Sequence, residues 1–416
     1  MRVLLIAYAC RPDMGSEPMA GWSAYRMLRS KHEVRVVCSG SGQPSLSAAI
    51  REGVAREKDF VFIPERWKFT GKTALDKLIA WGNILSFQRK LRRLGQIQIE
   101  SFCPDVIHHV TISTWRTGNP LAGRGIPFIW GPVGGGENFP LRFLGGLSAY
   151  SFLFELLRLA TGVLSRNAPG VRETALGSDW IFASNFATSN LLLKIGSKRD
   201  RLEVLPQFAF SEEKLQEFAL RPSWNQGNPI RIFSGGYVEA RKGIGLALRA
   251  LDRLKQRGLT FEYEHGGIGP ELEHLKKQSL QLGLGPQVRF VAPYSGAAYK
   301  EKLRSTDIFL FPSLRDNCPA TLLEAMGHGC VPVVADHAGP GEIVTPKCGI
   351  KIPLTRPAEF VDRLAEELAG LFQDADRRRR LGEAARLRVI ENFSQEHWLQ
   401  RVEAAYQKVT AGTRRF

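Results

Sequence analysis

The sequence predicts an α/β protein of two Rossmann-like αβα domains, and three observations carry that prediction. A chain of 416 residues exceeds what one hydrophobic core serves. Short apolar, β-branched runs alternate with longer helical patterns, which is the signature of parallel strands covered by crossover helices. An apolar strand followed by a glycine-bearing loop and a helix starts at Arg2 and starts again at Arg231, as two tandem domains would require. The first domain is assigned to residues 1–210 and the second to 228–393. The polar stretch Ser211–Asn228, with Pro222 and Gly227 and followed by Pro229, is the linker between them.

In the first domain, Arg2–Tyr8 reads as a buried strand. Cys10–Gly21 is a loop carrying Gly15, Ser16 and Glu17, Trp22–Ser30 is helical, and Glu33–Cys38 is the second strand. The loop lacks a true G-x-G-x-x-G, so a dinucleotide is not its expected ligand. Further strands fall at Asp59–Ile63, Asp105–His109 and Pro127–Trp130. Gly134, Gly135 and Gly136 then permit close approach of backbone to a ligand, with Glu137 beside them. His108 and His109 follow a buried-strand pattern and read as structural. Phe139–Val163 is rich in Leu and Phe, and Arg142, Arg158, Arg166 and Arg172 surround it. It fits either a helix lying in a membrane interface or one packed on its own domain. Asp179–Ser184 ends the strand series.

The second domain opens with the strand Arg231–Ser234 and the loop Gly235–Gly243, which carries Gly235, Gly236, Arg241 and Lys242. Phe261–His265 is a strand leading into Gly267-Ile-Gly-Pro-Glu271, where Gly267 and Gly269 mark a tight turn, and Val288–Val291 is the next strand. Asp307–Pro312 is apolar and buried. After it, Asn317 offers an N-cap, Pro319 suits a first helical turn, and Ala320–Met326 is a helix stopping at Gly327 and Gly329. Val331–Ala335 is the following strand, Gly339–Glu342 a loop, and Phe360–Ile390 a charged helical region. In open parallel sheets, ligands sit beyond the C-terminal strand ends, and a helix N-terminus there suits phosphate. Asp316 precedes that helix and Glu324 lies one turn inside it. Two carboxylates so spaced are ordinarily a cap and a solvated face. Together with a phosphate-binding helix start, they can flank a phosphosugar, Glu324 taking a pair of vicinal hydroxyls.

The string Asp316, Glu324-Ala325 and Gly329-Cys-Val-Pro-Val-Val334, with Lys242-Gly243, Gly267-Ile-Gly-Pro-Glu271 and Gly339-Pro-Gly-Glu342, resembles the donor-site signature of GT-B glycosyltransferases, in particular the large retaining family 4. The likeness covers nearly the whole chain, strongest over 230–345 and weakest over 40–170. Gly236 stands where the family carries an Arg, with Arg241 close by in sequence. The family's His near Gly131–Glu137 is missing, and Glu137 occupies that ground. The resemblance implies a GT-B fold whose two domains face across a cleft, with residues 394–416 forming a closing helix that returns to the first domain. It implies a nucleotide-diphospho-sugar as co-substrate, and neither a cofactor nor a metal. Lys242, Arg241 and the helix start at Asn317, Ala320 and Thr321 would stabilise the leaving diphosphate. Glu324 would hold ribose hydroxyls and Asp316 hydroxyls of the transferred sugar. Gly235, Gly236, Gly267, Gly269, Gly339 and Glu342 would line the donor. In the first domain, Gly15, Ser16, Glu17, Gly134, Gly135 and Glu137 would face the diphosphate or the acceptor.

Composition fits this reading. Hydrophobic residues make up 44% and charged ones 24%, as in ordinary globular proteins. Six cysteines are scattered without a Cys-x-x-Cys, which points to reduced thiols in the cytoplasm. The apolar start reads as a buried strand rather than a leader, and no apolar run reaches the roughly 18 residues of a membrane span. A net charge of +16 calls for an acidic partner. No nucleic-acid-binding signature appears, which leaves a phosphorylated donor and an anionic membrane surface, the inner face of the plasma membrane. The expected activity is transfer of a sugar, with retention, to a sugar or lipid-linked acceptor in polysaccharide or glycolipid assembly. Its rivals are a GT-B nucleotide-sugar epimerase and a non-catalytic sugar-nucleotide-binding homologue.

Overall fold

A computed structural model describes residues 1–67, 75–219 and 229–411. The chain forms two compact units: residues 1–136, 160–209 and 395–416 make the first, and residues 137–159 and 210–394 the second.

The first unit is built on a seven-stranded parallel sheet of β1 (Arg2–Ala7), β2 (Glu33–Ser39), β3 (Phe60–Ile63), β4 (Val106–Thr111), β5 (Phe128–Val133), β6 (Trp180–Ala183) and β7 (Leu202–Val204), in the order β3-β2-β1-β4-β5-β6-β7. Val3, Leu5 and Ala7 of β1 enter one core while Leu4 and Ile6 enter another, so the sheet is buried on both faces. That is why these strands read as continuous apolar runs rather than alternating ones. Trp398, Val402 and Tyr406 of the helix Gln395–Ala411 are buried in the first of those cores. The Tyr406 hydroxyl lies 2.8 Å from Nδ1 of His108, whose Nε2 lies 2.7 Å from the Gly131 carbonyl. Burial lowers His108 to about 4 and His109 to about 3, so both are neutral structural groups.

The second unit holds six parallel strands: β8 (Ile230–Gly235), β9 (Phe261–Gly266), β10 (Val288–Val291), β11 (Ile308–Phe311), β12 (Val331–Ala335) and β13 (Ile350–Ile352), in the order β10-β9-β8-β11-β12-β13. The strand order reverses between β8 and β11, paired through Ile308–Ile232 and Phe309–Phe233, which is where such sheets place their ligands. The loops at the C-terminal ends of β8 and β11 are Gly235–Gly243 and Pro312–Pro319.

Several expectations need correcting. β5 runs on through Gly131, Pro132 and Val133, so the glycine loop begins later than expected. β7 and β13 are additional three-residue strands at the sheet edges. The first helix spans Glu17–Arg29, so Glu17 is helical rather than in a loop. A 28-residue helix, Leu75–Phe102, occupies a stretch with no assigned element. Ala338–Ile343 is a short helix rather than a loop. The expected linker begins as the helix Glu212–Ala219, and its remainder, 220–228, lies outside the described residues. Residues 137–159 group with the second unit, where Phe139 and Phe143 are buried in its core. Among the described residues, no helix is long and apolar enough to cross a membrane.

Candidate functional site

The Lys242-Gly243 turn is fixed by close packing against the end of β11. Gly243 has φ 68°, and a Cβ there would stand 2.1 Å from the Pro312 carbonyl oxygen, so no other residue fits without moving the strand end. The two loops are further tied by the Leu314 N–H donating to the Arg241 carbonyl at 2.8 Å. This register brings Lys242 onto Asp316: Nζ donates to Oδ2 at 2.5 Å, and Arg241 Nη1 reaches the same oxygen at 3.3 Å. Ser313 Oγ is 3.2 Å from that oxygen. Arg241 is held from its other side by Glu239, Nε to Oε2 at 2.7 Å, and donates through Nη1 to the Arg315 carbonyl at 2.9 Å.

The electrostatics follow from one carboxylate facing two cations in a buried place. Burial alone would raise Asp316, but Lys242 and Arg241 outweigh it and hold it below the usual carboxylate range. Lys242 is lowered, first by burial and then by Arg241, with Asp316 opposing. In this structure Asp316 is therefore ion-paired with both cations.

The cap role expected of Asn317 is not realised. The helix Ala320–Gly327 has Pro319 at its N-cap, with no side-chain hydrogen bond there. Ala320 and Thr321 are its first two residues. Gly339 packs directly on the strip before it: its N–H donates to the Asp316 carbonyl at 3.2 Å, and a Cβ would overlap the Asn317 carbonyl oxygen. Glu342 is half-buried, and its carbonyl accepts from Arg388 Nη2 at 3.4 Å.

Beside this helix lies a cavity of about 320 Å³ whose walls include Gly235, Gly236, Gly267, Tyr294, Tyr299 and Thr321. Gly269 sits just outside it, packed on the Val238 backbone. Burial raises Glu324, while Lys214 and the Tyr299 hydroxyl pull it down. Lys214 belongs to the helix Glu212–Ala219 and bonds Glu217 at 3.2 Å. Sequence reasoning missed Lys214 and Tyr299, because neither lies in a motif. It also missed His265, which supports the glycine loop: Nδ1 lies 2.7 Å from Ser234 Oγ and Nε2 3.2 Å from the Gly236 carbonyl. A lone His closing a strand just before Gly266-Gly267-Ile-Gly269 was the available signal. A larger hollow of about 520 Å³ lies at the start of the helix Ile244–Gln256, between Arg142, Ser148, Glu239 and Glu271.

In the first unit the expected loop residues converge on Ser113, which was also missed. Glu17 Oε1 accepts from the Ser113 N–H and from its Oγ at 2.8 Å, and the Gly134 N–H donates to the Ser113 carbonyl at 2.8 Å. Burial raises Glu17, and the Ser113 hydrogen bonds offset part of that. The Gly135 carbonyl accepts from Trp115 Nε1 at 2.8 Å, Ser16 adopts φ 60°, and Gly15 meets nothing within 4 Å at its Cβ position. Glu137 falls in the second unit, buried, with Arg158 Nη2 on its carbonyl at 3.1 Å. Its charge acts on Arg241. Among the described residues no cluster of His, Cys, Asp and Glu could hold a metal ion. Asp374 caps the helix Ala375–Asn392, accepting the Arg377 N–H at 2.7 Å, and Asp376 pairs with Arg379 at 3.3 Å.

Two parallel αβα units, each with its strand order reversing beside the first strand, define the GT-B class of fold. Residues 216–388, within the second unit, match the family described as Glycosyl transferases group 1. The chain is similar to the putative colanic acid biosynthesis glycosyltransferase WcaL of Escherichia coli (28% identical, covering 56% of this chain and 58% of that protein). It is also similar to the amylovoran biosynthesis glycosyltransferase AmsK of Erwinia amylovora (31% identical, covering 37% and 38%). The matched stretches thus span between about a third and somewhat over half of these relatives' lengths. Among solved structures, the fold matches sucrose-phosphate synthase from Thermosynechococcus elongatus (TM-score 0.66, 13% identity, 99% of both chains). It also matches Anabaena HepE in complex with UDP (TM-score 0.63, 14% identity, 98% of this chain and 100% of that one).

Proposed function

We propose that this protein is a glycosyltransferase that moves a sugar from a nucleotide-diphospho-sugar to an acceptor hydroxyl with retention. The single observation that carries the reading is the pair of half-buried cations, Lys242 and Arg241, beside the start of the helix Ala320–Gly327 at the point where the sheet order reverses. Departure of a nucleoside diphosphate builds negative charge where the two cations and the helix dipole can meet it. In the free protein Asp316 neutralises those cations. A donor diphosphate would take over part of that pairing, leaving Asp316 to turn toward the transferred sugar. The nucleoside would enter the cavity lined by Gly236, Gly267 and Tyr294, with its ribose hydroxyls on Glu324. The reading includes no metal and no cofactor.

The acceptor side is assigned to the first unit, around Glu17, Ser113 and Gly134. Relatives named for colanic acid and amylovoran biosynthesis favour a polysaccharide precursor as acceptor. A lipid-linked one at an anionic membrane face suits the net charge of +16 and the helix Ala149–Arg166, which exposes Tyr150, Leu153, Leu157 and Leu164.

The test is a panel of nucleotide sugars. One donor should raise the melting temperature and should then glycosylate an added saccharide or lipid-linked acceptor. Lys242→Ala should lower that rate by roughly 10²-fold. Donor epimerised without acceptor, or donor bound and never turned over, would replace this reading with an epimerase or a binding protein.

A further inference from the structure

We infer that Glu155 is a positioning residue for the donor-site loop, acting through Arg315. Arg315 stands one residue before Asp316, and its guanidinium pairs with a carboxylate of its own. There, Nη2 donates to Glu155 Oε1 at 2.7 Å, with the two side chains 11% and 6% exposed. The Arg315 carbonyl meanwhile accepts from Arg241 Nη1 at 2.9 Å. The short strip Ser313–Asp316 is therefore held both by Arg241 and Lys242 and, through Arg315, by Glu155.

The helix that supplies Glu155 is unusual in what it buries. Ala149–Arg166 exposes Tyr150, Phe152, Leu153, Leu156, Leu157 and Leu164, whereas Glu155 is 5% exposed. A helix in water normally turns its leucines inward and its carboxylates outward. Here a carboxylate is turned inward, onto an arginine next to the candidate donor site. A buried charge is tolerated only where it is paired with good geometry, and replacing such a pair with apolar groups often leaves stability unchanged or better. Stability thus gives weak grounds for keeping it, and setting the loop's geometry gives stronger ones. The ends of the contact are fixed independently. Ser148 and Ser151 at the head of the helix bond Glu271 at 3.1 and 2.9 Å, and Asp316 is anchored by Lys242.

The kinetic arm of the test rests on the glycosyltransferase reading, and the second arm does not. Glu155→Gln should lower kcat by about 10-fold or more, because displacement of a positioning group by a fraction of an ångström is costly at a reacting centre. The donor KM should stay within about two-fold, since the ribose and base contacts are untouched. Hydrogen–deuterium exchange should rise in peptides covering 313–318 and stay unchanged in those covering 261–271. Arg315→Lys, which keeps the charge but loses the forked donor geometry, should fall between Glu155→Gln and the parent in both readouts. The double variant Glu155→Leu/Arg315→Met should recover the melting temperature without recovering kcat or exchange protection. Unchanged exchange at 313–318 in Glu155→Gln, or full recovery of kcat and protection in the double variant, would overturn the inference. If no donor supports transfer at all, the proposed function fails, and exchange alone still decides the role of Glu155.

Discussion

Replacing Asp316 with Asn tests the most direct consequence of the cation cluster. In the parent, Asp316 Oδ2 is 2.5 Å from Lys242 Nζ and 3.3 Å from Arg241 Nη1. Arg241 keeps Glu239 at 2.7 Å in the variant, so the penalty falls on Lys242, whose side chain is only 14% exposed. Removing one partner of a buried pair costs about 3–5 kcal/mol. Lys242 has an escape, which is to lose its proton. From an ordinary lysine pKa, that costs about 4 kcal/mol at pH 7.5, so the penalty is bounded at roughly 3–4 kcal/mol. For a unit of this size, each kcal/mol moves the midpoint by about 2–4 °C, and a fall of roughly 6–16 °C is expected. The sign of the pH dependence is also set. A lysine lowered in the folded state leaves the unfolded chain holding more protons, so stability rises with pH up to the ordinary lysine range. The deficit should shrink by as much as about 1.4 kcal/mol per unit between pH 7.5 and 9.5. Differential scanning calorimetry at the two pH values measures both effects. A variant melting within about 1 °C of the parent at pH 7.5, with no recovery at pH 9.5, would refute the ion-pair account.

Glu324→Gln should raise the donor dissociation constant by about 5–150-fold, the equivalent of 1–3 kcal/mol for a charged hydrogen bond, and calorimetric titration with the donor measures it. His265 is lowered to about 4 by burial. Stability should therefore drop as pH falls from about 6.5 towards 4, by up to roughly 1.4 kcal/mol per unit, because the unfolded chain takes up the proton first. His265→Gln should flatten the urea-unfolding midpoint over that interval, and an unchanged slope would mean that His265 is not neutral in the fold. Liposome co-sedimentation checks the exposed row on Ala149–Arg166. Binding should need anionic lipid, weaken with salt, and fall in Leu153→Ser/Leu157→Ser without loss of folding. Protein remaining in the supernatant at low salt would favour a soluble acceptor.

Much of this protein was legible in its residues alone. Strands buried on both faces are largely apolar, so β1, β3, β6, β11 and β12 appeared as unbroken runs such as Val331–Ala335. The glycine-bearing turns marked where one backbone closely approaches another, as at Gly243 and Gly339, and the motif around Asp316–Val334 marked the resemblance to a family before any contact was known. β7 and β13 did not appear, because three residues at a sheet edge with a charged centre, Leu-Glu-Val and Ile-Lys-Ile, carry no such run. What only the tertiary structure decided was pairing. Lys242 and Asp316 are separated by 74 positions and Glu155 and Arg315 by 160. Periodicity and capping rules act over a turn or two of chain and say nothing at those distances. Asp316 accordingly read only as a carboxylate ahead of a helix, and the packing of Gly243 against Pro312 sets the register that puts it on two cations. Local chemistry sets which groups a chain carries, and only the folded register determines which of them neutralise one another.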